Sequence, residues 1–136
     1  MKTEDFQLVP ALQKKDFICD LNFCRVLFED NKNYPWIFLV PRKNNVKNML
    51  GLTSEERSQL MKEIEQAEKV MNDLFQPAQL NTAAIGNITP QLHVHVICRF
   101  ENDPAWPGTV WGTKGEPYSS AQKQEMVEKI RLKFNP

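Results

Sequence analysis

Neither sign of charge prevails in this sequence. Lysine and arginine number 17, and aspartate and glutamate number 17. That balance argues against a duplex nucleic-acid binder, which needs a basic face to neutralise phosphates, and no nucleic-acid partner is expected. A small phosphorylated ligand stays open, because one local positive pocket suffices for it. No stretch approaches the ~20 consecutive apolar residues of a membrane span. The N-terminal Met1-Lys2-Thr3-Glu4-Asp5 carries acids and has no apolar core of the kind a secretion signal needs. These absences predict a cytoplasmic protein with no membrane partner. Cysteine is scarce: Cys19, Cys24 and Cys98 are odd in number, which excludes a complete disulfide framework. Cys19 and Cys24 are also spaced more widely than a redox C-x-x-C, so all three read as free thiols. Histidine is scarcer still. The chain has two, and they lie two residues apart.

What is present is enough for a real core. Hydrophobic residues make up 41% of 136 residues, and no repeat, low-complexity tract or linker interrupts them. Residues 1–136 are expected to form a single domain. Residues 5–20 read as irregular, with one helical turn near Leu12. Cys24 to Glu29 reads as a strand, and Asp30-Asn31-Lys32-Asn33 is a polar turn cluster. Trp36 to Val40 is a short apolar run bounded by Pro35 and Pro41, the signature of a buried strand. The two strands predict a hairpin.

From Thr53 to about Phe75 the pattern is helical. Thr53 and Glu56 have capping-box spacing. Leu60, Ile64, Ala67, Met71 and Leu74 make one apolar stripe, with Lys62, Glu63, Glu65 and Lys69 mainly off it. Pro77 ends the pattern. Leu80 to Ile85 and Leu92 to Phe100 read as two further strands. Ser119 to about Phe134 reads as a closing helix with Met126, Val127, Ile130 and Phe134 on one side. A helix inserted between pairs of adjacent strands predicts an α+β fold with an antiparallel sheet.

Both histidines fall in Gln91-Leu92-His93-Val94-His95-Val96-Ile97. Strand side chains alternate faces, with same-face Cα atoms about 6.6–7 Å apart. Gln91, His93, His95 and Ile97 thus share one face, and the apolar Leu92, Val94, Val96 and Cys98 share the other. Three readings compete. The histidines are inert sheet residues; or they ligate a metal, although zinc wants three or four protein ligands and the strand supplies two; or one is a nucleophile. An imidazole can attack phosphorus and split one displacement into two easier ones. Its neighbour can serve as proton donor or phosphate partner.

The segment resembles the histidine-triad signature H-φ-H-φ-H-φ-φ, where φ is apolar. All four φ positions match, as do two of the three histidines. Gly86-Asn87-Ile88-Thr89-Pro90 is similar to the family's lead-in to that strand. Val26 to Arg42 is similar to its first hairpin. The likeness runs over roughly residues 20–112. It implies a histidine-triad-like fold, with an antiparallel sheet of about five strands packed with one long helix and a C-terminal helix. It also implies a nucleotide hydrolase or nucleotidyl transferase, a homodimer, acting on nucleoside phosphoramidates, dinucleoside polyphosphates or related nucleotides. No cofactor is implied, and no metal bound to the protein.

Carried over position by position, the resemblance makes His93 the nucleophile and His95 the contact to phosphate or leaving group. Gln91 stands at the signature's first histidine, and it can neither titrate near neutral pH nor carry positive charge. Asp30, with Glu29 and Asn31 beside it, is the expected holder of the ribose hydroxyls. Asn81 and Asn87 are expected to line the phosphate pocket. Arg99 lies on the histidine face by parity and is a further phosphate candidate. The Trp106-Pro107 to Trp111 loop is read either as ordinary packing or as a wall for a base or a partner subunit. A nucleotide-binding protein with little or no turnover is the rival reading, with Gln91 as its cause.

Overall fold

The computed structural model describes residues 5–135. Five antiparallel strands form one sheet: β1 (Asp16–Asp20), β2 (Cys24–Phe28), β3 (Trp36–Pro41), β4 (Gln79–Ala83) and β5 (Val94–Arg99), in the order β1-β2-β3-β5-β4. A four-residue helix, α1 (Pro10–Gln13), precedes the sheet. The long α2 (Ser54–Phe75) sits between β3 and β4, and α3 (Ser120–Phe134) closes the chain. This is the α+β, histidine-triad-like arrangement that the sequence predicts. No helix among the described residues is long and apolar enough to cross a membrane.

Local chemistry accounts for the element ends. Thr53 caps α2 and Glu56 reaches back to the cap backbone, the reciprocal pair predicted from their spacing. Gln76 ends the helix in the left-handed region, and Pro77 cannot continue it. Ser119 and Gln122 make the same capping box on α3. The β2–β3 hairpin pairs Cys24 with Pro41 and Phe28 with Ile37.

Two sequence expectations are corrected. Residues 16–20 were expected to be irregular and instead form edge strand β1. A register shift between Phe17 and Cys19 puts Ile18 and Cys19 into the same core cluster. That bulge erases the period-two signal by which a strand is read. Glu63, expected off the apolar stripe of α2, is 2% exposed. Its carboxylate accepts the backbone N–H groups of Phe23 and Cys24 at 2.9 and 2.7 Å and the Gln59 amide at 2.7 Å. Burying a carboxylate is tolerable when such donors replace water.

The sheet separates two apolar clusters. On one side α2 and α3 cover Val26, Phe28, Ile37, Leu39, Leu92, Val94, Val96 and Cys98. On the other, Leu27, Trp36, Phe38, Val40 and Ile97 meet Leu12, Val110 and the partly buried Leu8 and Val9. The second side carries no long helix. It is covered by the N-terminal segment and the loop that follows β5, and the histidines lie there.

Candidate active site

The parity read from the sequence holds in space. Leu92, Val94, Val96 and Cys98 enter the helix-side core, while Ile97 joins the opposite cluster. His93 and His95, each 7% exposed, sit side by side with ring centroids 5.0 Å apart. Phe38 lies against both rings, 6.0 Å from His93 and 4.9 Å from His95. β3 places it there, because Phe38 is paired with His95 across the ladder.

The hydrogen bonds assign a different tautomer to each ring. Nδ1 of His93 lies 2.6 Å from the Gln91 carbonyl oxygen. A carbonyl can only accept, so Nδ1 carries the proton and donates it. Nε2 is then the ring's acceptor nitrogen. Nδ1 of His95 lies 3.0 Å from Nε1 of Trp36. An indole N–H can only donate, so here Nδ1 accepts and the ring proton is on Nε2. His95 is also held neutral: burial first, then His93 and the Lys15 ammonium, push its pKa from 6.5 down to about 3. The pair thus presents one acceptor nitrogen, Nε2 of His93, and one neutral donor, Nε2–H of His95.

Gln91 is placed apart from that chemistry. Its side-chain oxygen accepts the Val9 N–H at 2.9 Å, and its amide nitrogen donates to the Gln7 carbonyl at 3.1 Å. The side chain therefore holds the N-terminal segment, and only its main chain serves His93. Asn44 pins the same segment by accepting from Gln7 N–H and donating to the Asp5 carbonyl. Gln91→Ala should cost about 1–3 kcal/mol, the sum of two hydrogen bonds of ordinary net worth. Urea denaturation measures it, and an unchanged midpoint would show the clamp to be idle.

The remaining expected site residues divide. Glu29 forms an ion pair with Lys15 at 2.7 Å, and Lys15 also lies 5.4 Å above the Phe38 ring, so Glu29 borders the histidine face. Asp30 turns away: it accepts the Tyr118 N–H at 2.8 Å, just ahead of α3. Asn31 is buried, and its side chain accepts the Asn33 N–H at 3.0 Å. Strand parity separates Glu29 from Asp30, since Leu27 faces the histidine side while Val26 and Phe28 face the helices.

Arg99 and Asn81 are held by each other. Arg99, 2% exposed, donates to both Asp103 oxygens at 2.8 and 3.0 Å and to the Asn81 side-chain oxygen at 2.8 Å. Its guanidinium is engaged by Asn81 of the sheet and Asp103 of the following loop. Asn87 is exposed on the loop between β4 and β5. Gly86 beside it has φ +63°, a conformation that favours glycine. With Lys47, Asn48, Met49, Leu50, Ile85 and His93, Gly86 lines a cleft of about 310 Å³.

Lys15, Trp36 and Lys47 belong at this site and were not singled out from sequence. Trp36 had a signal in the β3–β5 pairing, which sets it opposite Ile97 on the histidine strand. Lys15 and Lys47 had none, as both lie outside the strands. Trp111, from the loop after β5, packs edge-on to His95 at 4.7 Å and to Trp36 at 5.5 Å. Among the described residues, no three side chains of His, Cys, Asp or Glu converge as a metal site.

The family model for the HIT domain matches residues 11–102. A histidine triad protein from Bradyrhizobium japonicum superposes with a TM-score of 0.91 at 34% identity, covering 95% of this chain and 98% of the other. A histidine triad protein from Marinobacter aquaeolei superposes at 0.90 and 34% identity, covering 95% and 96%. A protein from Sulfolobus tokodaii described as a hypothetical histidine triad nucleotide-binding protein shares the fold at a TM-score of 0.69, with 16% identity and coverage of 89% and 84%. No curated protein matches the chain.

Proposed function

Because the chain belongs to the HIT domain family, we propose that it is a nucleotide hydrolase or nucleotidyl transferase that works through a covalent phosphohistidine at His93. The observation that carries this reading is the 2.6 Å contact between His93 Nδ1 and the Gln91 carbonyl oxygen, which assigns the ring N–H to Nδ1 and turns Nε2 to the substrate side as the acceptor nitrogen. In the first displacement the Nε2 lone pair forms a bond to the phosphorus. The bond from phosphorus to the leaving group breaks, and its electron pair departs with that group. The ring becomes an N-phosphorylated imidazolium whose Nδ1–H stays on the carbonyl, a dipole that stabilises the new positive charge. Water, or an acceptor nucleophile, attacks next; the P–N electron pair returns to Nε2, and the nucleophile's proton passes to that nitrogen's side of the pocket and on to solvent.

The other groups take roles by position. His95 offers Nε2–H to a phosphate oxygen or to the departing atom. Lys15 and Lys47 supply positive charge near the pair. Glu29 is better placed than Asp30 to accept from ribose hydroxyls, because the oxygens of Asp30 face Tyr118 N–H and Lys123. Asn87 follows Gly86, which lines the cleft beside His93. The substrate classes remain nucleoside phosphoramidates, dinucleoside polyphosphates and related nucleotides. A homodimer accompanies this reading, and a solution mass measurement decides it.

Rapid mixing with a nucleoside phosphoramidate or a dinucleoside polyphosphate, followed by intact mass and product analysis, tests the proposal. A nucleotidyl adduct that maps to His93, together with released nucleoside monophosphate, is the expected result. Nucleotide binding with neither adduct nor product would instead establish the rival reading, a binding protein without turnover. Since the Gln91 side chain serves the N-terminal segment, Gln91→His should turn over no faster than the unaltered protein. A faster variant would show that a third imidazole is what the chemistry lacks.

A further inference from the structure

His95 sits in an aromatic box. Phe38 lies 4.9 Å from its ring, Trp111 4.7 Å and Trp36 5.6 Å. Three of these four rings carry no titratable group, and the ionisable groups that bear on His95 are His93 and Lys15. Within this box one directional bond selects the state of the imidazole, from the Trp36 indole N–H to Nδ1 at 3.0 Å. Turning the ring over would set a carbon against that N–H and leave two buried polar groups unpaired, which is costly. Moving the ring proton to Nδ1 would set two hydrogens against each other. Trp36 is itself buried, at the start of β3 and braced edge-on by Tyr34 and Trp111.

We propose that Trp36 is a positioning residue that acts through His95, locking its imidazole in the Nε2–H tautomer so that it meets the substrate as a neutral hydrogen-bond donor. This rests on the phosphohistidine reading for its catalytic meaning, while the lock itself is a property of the free protein. It separates the two histidines by function. One is held by a main-chain acceptor as a nucleophile, and the other by a side-chain donor as a donor in turn. Nothing in the H-x-H spacing distinguishes them, since both partners lie outside the pair.

Two measurements test it. Nitrogen-15 NMR of the imidazoles reads the tautomer directly. The unaltered protein should show His95 protonated at Nε2 and bare at Nδ1, and Trp36→Phe should show a mixture of the two tautomers. In kinetics, Trp36→Phe should lower kcat by about 10- to 100-fold with little change in KM, the scale of losing alignment at a reacting centre. A glutamine at position 95 donates from an amide that has no tautomers. In the His95→Gln background, adding Trp36→Phe should therefore lower kcat less than about threefold, a non-additivity that a merely structural tryptophan would not produce.

His95 protonated at Nδ1 in the unaltered protein would overturn the proposal. So would equal kcat losses from Trp36→Phe in both backgrounds. If Trp36→Phe does not fold, the spectrum of the unaltered protein still decides the tautomer. Because that spectrum needs no substrate, a confirmed lock in a protein that turns over nothing would count against the hydrolase reading and leave the lock standing.

Discussion

His93→Ala is expected to lower kcat by at least about a thousandfold, since deleting a covalent nucleophile removes a step and not a preference. The nucleotide should still bind within a few-fold of the original affinity, because His93 supplies one lone pair to a site whose other contacts persist. The adduct seen by intact mass should vanish with the turnover. The ring's place, packed on Phe38 and beside His95, leaves an imidazole-sized gap in the variant. Added imidazole should fill it and restore part of the rate with activated substrates. Steady-state kinetics with and without imidazole makes the check. A variant that keeps a tenth or more of the original rate would remove His93 from the mechanism.

The second large effect concerns stability. Asp103→Ala should destabilise the fold by about 3–5 kcal/mol, the usual result of stranding one partner of a buried ion pair. The pair is deep: the Arg99 and Asp103 side chains are each 2% exposed and 2.8 Å apart. Asp103 also accepts the backbone N–H groups of Phe100, Ala105 and Trp106. It thereby shapes the loop that delivers Val110 and Trp111 to the histidine face. Burial alone would raise the Asp103 pKa, but hydrogen bonds from Arg99, Phe100 and Trp106 and the Arg99 charge outweigh it and hold the carboxyl at about 2, below its usual 3.8.

The folded pKa is thus depressed. The stabilisation it brings is complete above the unfolded pKa and is lost as pH falls from about 4 through 2. Urea denaturation at neutral pH and again near pH 3 reads both effects. The gap between the unaltered protein and Asp103→Ala should narrow in acid, and a loss under 1 kcal/mol at neutral pH would contradict the argument.

Most elements were legible because their signals are local. The α2 cap, its apolar stripe, the β2–β3 hairpin and the alternation from Leu92 to Cys98 each repeat within a few residues, where periodicity and capping operate. β1 was not legible, because its bulge breaks the alternation and its identity comes from pairing with β2. Glu63 was misplaced for a related reason. A carboxylate on a helix looks solvated until the turn between β1 and β2 brings two N–H groups to it.

The histidine strand shows the same division at the site. The sequence by itself determined that the two imidazoles share one face with Gln91 and that the opposite face is apolar. Those facts follow from the two-residue period of a strand, a property of neighbours. Only the tertiary structure decided what each ring is. The His93 tautomer depends on how the chain bends at Gln91, and the His95 tautomer on an indole 59 residues away in sequence. The duty of Gln91 depends on an N-terminal segment more than 80 residues distant. Protonation is set by whichever donor or acceptor lies within hydrogen-bond reach, and for these three residues folding supplies that partner.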